Sequence, residues 1–267
     1  MNQKARQWLD SEKTVKQAPA ELRAFDPAIL AELDRSGALV YARSINYEHH
    51  RMADMIFPFC AKLLAKDWEQ VVEDYYKEFP SSHFDFNKIC SNFSRYIEEK
   101  RSDLLARFPY LAELADYEWL ELEKIEDPAE IIAADSISIN SLEQINAYAP
   151  VLNPTVKVCH YKFPIIDIAT YVENSKRPRR KFSKRECCVA IYRDPEINRA
   201  RFIELGEATA EIVETAQKAN SSYMDLLKLT LSLTTDMDPA KATLRFLNLI
   251  EELQKDKIFL GSRPQGG

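Results

Sequence analysis

Cys187-Cys188-Val189-Ala190-Ile191-Tyr192 is a short, continuous apolar run, and Asp194-Pro195-Glu196-Ile197-Asn198 separates it from Arg199 to Leu205. A run of this length bounded by turn residues predicts a strand buried on both faces, turned back into a hairpin. Upstream, Thr155 to Phe163 and Ile165 to Ala169 have a strand-like β-branched and aromatic composition, with proline between them. Downstream the period changes to that of helices. Gly206 to Ala219 places Ala208, Ile212, Val213 and Ala216 inward. Ser222 and Asp225 have the spacing of a capping box that opens Tyr223 to Leu233. Asp238-Pro239-Ala240 opens a third helix with Leu244, Leu247, Ile250 and Leu253 on one face. Ile258 to Gly261 reads as a short last strand, and Ser262 to Gly267 as a tail. Strands followed by a helical trio and one more strand predict a winged-helix-like α+β domain over residues 151–267.

Residues 1–150 read differently. Asp26-Pro27-Ala28 starts a helix with Ile29, Leu30 and Leu33 in one stripe, closed by Ser36-Gly37. From Leu39 to Leu64, Ile45, Met52, Met55, Ile56, Phe59 and Leu63 recur at helical spacing, and Pro58 must kink or divide that stretch. Trp68 to Phe79 buries Val71, Val72, Tyr75 and Tyr76. Phe86 to Glu99 and Tyr110 to Ile125 are two more amphipathic helices, and Asp127-Pro128-Ala129 starts a further helical turn. The expected fold is therefore mainly α: an N-terminal helical bundle joined near residues 149–154 to the α+β domain. Charge changes at the same place. Residues 1–150 hold 17 basic and 27 acidic side chains, whereas residues 151–267 hold 19 and 15. Seven basic residues with no acid fall in Lys176 to Arg185, a run that reads as a solvated loop or as a contact for an anion or acidic peptide.

Composition excludes several classes. The chain has 267 residues, 46% hydrophobic and 29% charged, which fits a folded protein and not a disordered one. A net charge of −6 excludes bulk nucleic-acid binding by the whole chain. No apolar run nears the ~20 residues that span a bilayer, and Met1 to Glu12 has no signal-peptide core. Five cysteines, an odd number, read as reduced thiols and so as a cytoplasmic setting.

Signatures of catalysis are missing. His49, His50, His83 and His160 form no metal-ligand spacing, and adjacency leaves His49 and His50 as one exposed and one rim residue. Cys187 and Cys188 alternate across a strand as buried thiols, and Cys159 and His160 diverge in the same way. Glu118, Glu121 and Glu123 read as a solvated face, although Glu118 falls in the apolar stripe. No nucleophile elbow, phosphate loop or dinucleotide fingerprint occurs. The expectation is a non-enzyme with no catalytic residue, metal or cofactor. Binding remains: the hairpin and its neighbouring strand could offer a sheet edge to an extended peptide, unless the protein's own helices cover it. The other binding possibility is nucleic acid, but the expected recognition helices carry few arginines and no aromatics interleaved with bases.

Five segments, in order, resemble one family. Leu39-Val40-Tyr41-Ala42-Arg43, Phe57-Pro58, Leu63-Leu64 and Trp68 are similar to the N-terminal domain of the HvfC/BufC family, which has also carried a DNA-binding label. Pro109-Tyr110-Leu111-Ala112-Glu113-Leu114-Ala115-Asp116-Tyr117-Glu118-Trp119 resembles its most specific helix. Tyr161-Lys162-Phe163-Pro164-Ile165 resembles a family strand. Val189 to Asp194 with Arg201-Phe202-Ile203-Glu204-Leu205 resembles its hairpin. Ser44-Ile45-Asn46-Tyr47 stands where the family often has paired asparagines.

The resemblance implies a non-catalytic partner of a multinuclear non-haem iron-dependent oxidase, a TIM-barrel enzyme that modifies cysteines of ribosomally made precursor peptides. Such a partner binds the precursor's leader peptide, which in related proteins joins a sheet of the C-terminal domain as an added strand. On this expectation Val158, His160, Tyr161, Phe163, Val189, Ile191, Arg193 and Arg201 lie at or near the leader, and Tyr117 and Trp119 meet the oxidase. A DNA-binding transcriptional regulator is the rival expectation, and a scaffold without peptide specificity a third.

Overall fold

A computed structural model describes residues 35–79, 88–134, 137–178, 180–218 and 221–265. The expected helix after Asp26 and residues 80–87 lie outside them. Two compact units emerge: the described residues of Met1–Trp119 with Val172–Arg179, and those of Leu120–Tyr171 with Arg180–Gly267.

The first unit is helical. Helix α1 (Arg35–Ile56) runs straight through Ser36 and Gly37, which were expected to close a helix. Ile45, His49, Met52, Ala53 and Ile56 are buried along one face, whereas Met55 is exposed. Phe57 leaves helical geometry and Pro58 occupies the first position of α2 (Pro58–Leu64), so the proline divides the two helices as expected. After a 3-10 turn, α3 (Trp68–Glu78) buries Trp68, Val71, Val72 and Tyr75. Helix α4 (Phe93–Lys100) adds Phe93, Tyr96 and Ile97, with the Tyr75 ring edge-on to Phe93 at 5.2 Å between centroids. Short α5 (Ser102–Arg107) leads to α6 (Leu111–Ile125). His49 is no surface residue: its ring stacks on Tyr76 at 3.9 Å.

The second unit combines helices with two small antiparallel sheets. No helix forms after Asp127, where one was expected; the Asp127 side chain instead accepts from Ala129 N and turns the chain. Helix α7 (Leu142–Ala147) is capped by Ser141 and leads into β1 (Tyr148–Leu152), which contains the first residues of the expected domain junction. Strand β2 (Lys157–Tyr161) follows. Ile165 to Ala169, expected to be extended, instead opens α8 (Ile165–Asn174). Ile165, Ile168, Ala169 and Val172 are all buried, an i, i+3, i+4, i+7 face that overrides their β-branched composition.

Strand β3 (Cys187–Arg193) and β4 (Ala200–Leu205) form the expected hairpin, with Asn198 at φ 51° in the turn. Asparagine tolerates that left-handed geometry. The Asp194 carboxylate accepts from Glu196 N at 2.8 Å and fixes the loop. Three helices then stack: α9 (Glu207–Ala216), α10 (Tyr223–Leu233), opened by the expected capping box, and α11 (Pro239–Lys255), capped by Asp238. Ala208 and Leu244 do not point inward. Leu244 is 60% exposed, and Ala210, Ala242 and Phe246 take the buried places. Strand β5 (Phe259–Pro264) pairs with β1, Tyr148 opposite Pro264, so Ser262 is a buried strand residue and not part of a tail. Ala190, Tyr192, Ile212, Val213, Leu226, Phe246, Ile250 and Phe259 share one core.

Candidate functional site

The three-stranded sheet has the order β2-β3-β4. Strand β3 is therefore central, and Val189 and Ile191 are wholly buried. Both sides of β3 are occupied, so it cannot be the receiving edge that the sequence reading considered. The edge strands are β2 and β4.

Hydrogen bonding at the two ends of β3 fixes which residues face outward. Asp194 N donates to Arg199 O, and Arg193 N donates on the opposite side to Thr155 Oγ1. With the registers Lys157 opposite Ile191 and Arg193 opposite Ala200, the alternation turns the backbones of Val158 and His160 away from β3 on the β2 side. On β4 it turns those of Ala200, Phe202 and Glu204 away. Val156 O, on the same line as Val158, accepts from Gln217 Nε2 at 2.9 Å.

The expected site residues divide into groups. Val158 is half-buried and His160 is exposed on β2, whereas Tyr161 and Phe163 are buried. Arg193 is engaged internally: its guanidinium donates to Asp127 O and Ala129 O, each at 2.6 Å. Arg201 pairs with the buried Asp194 carboxylate at 2.7 Å. Tyr117 and Trp119 are half-buried on α6. Of the eight residues expected to meet the leader, only Val158 and His160 combine surface access with an outward-facing edge backbone.

Arg193 gives a direct check. An Arg193→Met change keeps the stem and removes three charge-assisted donor contacts to the 125–129 backbone. The expected result is a loss of about 1–3 kcal/mol in a denaturant melt, with amide exchange raised in residues 125–134. An unchanged midpoint would release Arg193 for ligand contact.

At the Tyr161 end of β2 lies a cleft of about 980 Å³, bounded by the sheet and α9. His160, Cys188, Glu186, Glu204, Glu207, Glu211 and Glu214 line it, with Lys162 and Lys218. His160 and Cys188 are direct cross-strand partners, with Nδ1 3.3 Å from Sγ, and His160 Nε2 lies 2.7 Å from Glu214 Oε1. In sequence alone Cys188 reads as an inert core thiol, because its partners come from β2 and α9, far away in the chain. Among the described residues no group of three or more His, Cys, Asp or Glu side chains is placed to hold a metal ion. None of their helices is long and apolar enough to cross a membrane.

Two other residues escaped the sequence reading. Glu118 is 2% exposed rather than solvated, and its carboxylate accepts from Phe59 N and, at 3.0 Å, from Cys60 N. Asn153, wholly buried, bonds to both Arg193 O and Lys257 O.

The three-stranded sheet shares its core with α9, α10 and α11. Residues 153–254 match the family model of the HvfC C-terminal domain. Over that span the chain is similar to the HvfC family, in line with the resemblance that its strand and hairpin motifs carry. No curated protein matches the chain.

Proposed function

We propose that this protein is a non-catalytic partner that binds the leader of a ribosomally made precursor peptide and presents it to a multinuclear iron-dependent oxidase for cysteine modification. The observation that carries this reading is the HvfC C-terminal match over residues 153–254, on a domain whose β2 is an edge strand. The helical first unit serves as a bundle that contacts the oxidase through the face around Tyr117 and Trp119. The second unit acts as a winged-helix-like module in which the leader pairs with β2 along Val158 and His160. Main-chain bonds supply affinity, and the side chains beside the edge supply selection. The basic run ends next to this strand, since Arg185 N donates to Lys162 O, and it draws acidic leader residues toward the sheet.

The test begins with co-purification from native cells at moderate salt, with mass spectrometry of what co-elutes. An iron-containing oxidase together with a precursor peptide is the expected result. Nucleic acid alone, released steeply as salt rises, would instead establish the DNA-binding regulator.

With the leader identified, proline substitution locates its edge. Val158→Pro removes an outward N–H and leaves the ladder to β3 intact, so leader affinity should fall about tenfold, the loss of roughly one net hydrogen bond. Ala200→Pro makes the same change on the other edge and should leave affinity alone. A reversed outcome would move the leader to β4, and no effect from either would remove strand addition. Ile191→Pro is uninformative because it breaks the central strand.

A further inference from the structure

We propose that Cys188, His160 and Glu214 form a base-assisted thiol site that takes positively charged disulfides as covalent ligands. It does not depend on the leader-binding reading. Cys188 lies opposite His160 in the β2–β3 ladder, so both side chains emerge on the same face of the sheet. Sγ is 3.3 Å from Nδ1, and Nε2 is 2.7 Å from the Glu214 carboxylate. With Nε2–H donated to the Glu214 carboxylate, Nδ1 is the ring atom placed to accept from the thiol. Nucleophile, base and orienting acid thus stand in one line, the arrangement that activates cysteine in unrelated folds.

The surroundings select the ligand. Five carboxylates line the cleft against two lysines, with Arg185 drawn to one of them, Glu204. Burial first, then Glu207, Cys187, Glu214 and Glu186, push the Cys188 thiol up, so the group rests as S–H and not as thiolate. Reaction therefore requires proton transfer to His160 and a partner whose charge the carboxylates welcome. The step balances without an added oxidant. The Sγ–H proton passes to Nδ1 as Sγ attacks one disulfide sulfur. An Sγ–S bond forms, the ligand's S–S bond breaks, and the departing thiolate takes the proton from the imidazolium. The products are a mixed disulfide on Cys188 and a free ligand thiol. A cleft of about 980 Å³ has room for a small disulfide or for one loop of a basic, cysteine-bearing peptide. Cys60, Cys90, Cys159 and Cys187 are also buried thiols, but of these only Cys187 borders the cleft, and its Sγ is directed to Phe163 O.

The test uses the full chain and two disulfides of opposite charge, cystamine and 3,3′-dithiodipropionate, with the adduct located by peptide mass mapping. Cystamine should modify Cys188 before the other four cysteines, about tenfold or more faster than the anionic reagent at low salt, a ratio that narrows as salt screens the cleft. His160→Gln should slow the cystamine reaction about tenfold or more near neutral pH, and the deficit should close at high pH, where solvent removes the proton. Glu214 acts through His160 as a positioning residue, so Glu214→Gln should give a smaller deficit that closes in the same way. Cys188→Ser should abolish the adduct while preserving the melt. An adduct on another cysteine, no reaction, preference for the anionic reagent, or a His160→Gln deficit that is constant with pH would each overturn the assignment.

Discussion

Asn153→Ala should lower the stability of the second unit by about 3–5 kcal/mol, because the substitution strands several buried polar groups at once. The Asn153 side chain donates to Arg193 O at 3.0 Å and to Lys257 O at 3.2 Å. Its Oδ1 accepts from Thr155 N and from Thr155 Oγ1. That hydroxyl in turn accepts from Arg193 N at 2.9 Å, and Asn153 N donates to Ile258 O. One amide thus joins the end of β3, the start of β2 and the chain entering β5. Alanine leaves two carbonyls without this donor and frees the Thr155 hydroxyl to rotate away from Arg193 N. Urea unfolding of the full chain measures the effect, and a loss under about 1 kcal/mol would show that water replaces the amide. Thr155→Val, which removes only the hydroxyl links, should fall between the two proteins.

Glu118→Ala should cost the first unit about 3 kcal/mol, the range for charge-assisted hydrogen bonds lost from a buried site. The physical reason lies in α2. Its N-cap is Phe57, which has no side-chain acceptor, and Pro58 has no N–H, so Phe59 and Cys60 carry the first orphan donors. Glu118 on α6 accepts from both and places a negative charge at the positive end of the helix. Glu118→Gln keeps one acceptor and turns an amide N–H toward a donor, so it should be little better than alanine. A second readout is Cys60, whose thiol is pushed well up by burial and then by the Glu118 charge. Its labelling by a thiol reagent should be slow in the native protein and accelerate in Glu118→Ala as α2 frays. Unchanged labelling and an unchanged melt would assign the carboxylate no structural role.

The features legible in the sequence were those whose physics is local. The Ser222–Asp225 capping box, the Asp238-Pro239 helix start, the division at Pro58 and the β3–β4 hairpin each depend on residues a few positions apart. Misreadings came where a local preference met a tertiary face. Ile165 to Ala169 has strand composition, yet Ile165, Ile168 and Ala169 are buried at helical spacing. Leu244 fitted a helical stripe that rotates past it, so Phe246 is buried instead. The candidate site was legible only as a region. Val158 and His160 fall on an outer strand, whereas Arg193 and Arg201, attractive as free cations, are bound to the protein's own carbonyls and to Asp194. Periodicity could not assign β3 to the centre of its sheet, because strand order depends on pairing between distant segments. The Cys188–His160–Glu214 line has the same origin, three elements meeting across 54 residues of chain.

The pairing of β1 with β5 bears on the order of events at the ribosome. Tyr148 and Pro264 are direct partners, so this ribbon cannot close until nearly all of the second unit has been synthesised. Helices α9 to α11 emerge while the surface that β5 covers is still open, a period in which a nascent chain depends on chaperones. A message truncated after Lys255 would encode every helix of that unit and still yield a product prone to degradation, since Ile258, Phe259 and the strand they begin would be missing from its core.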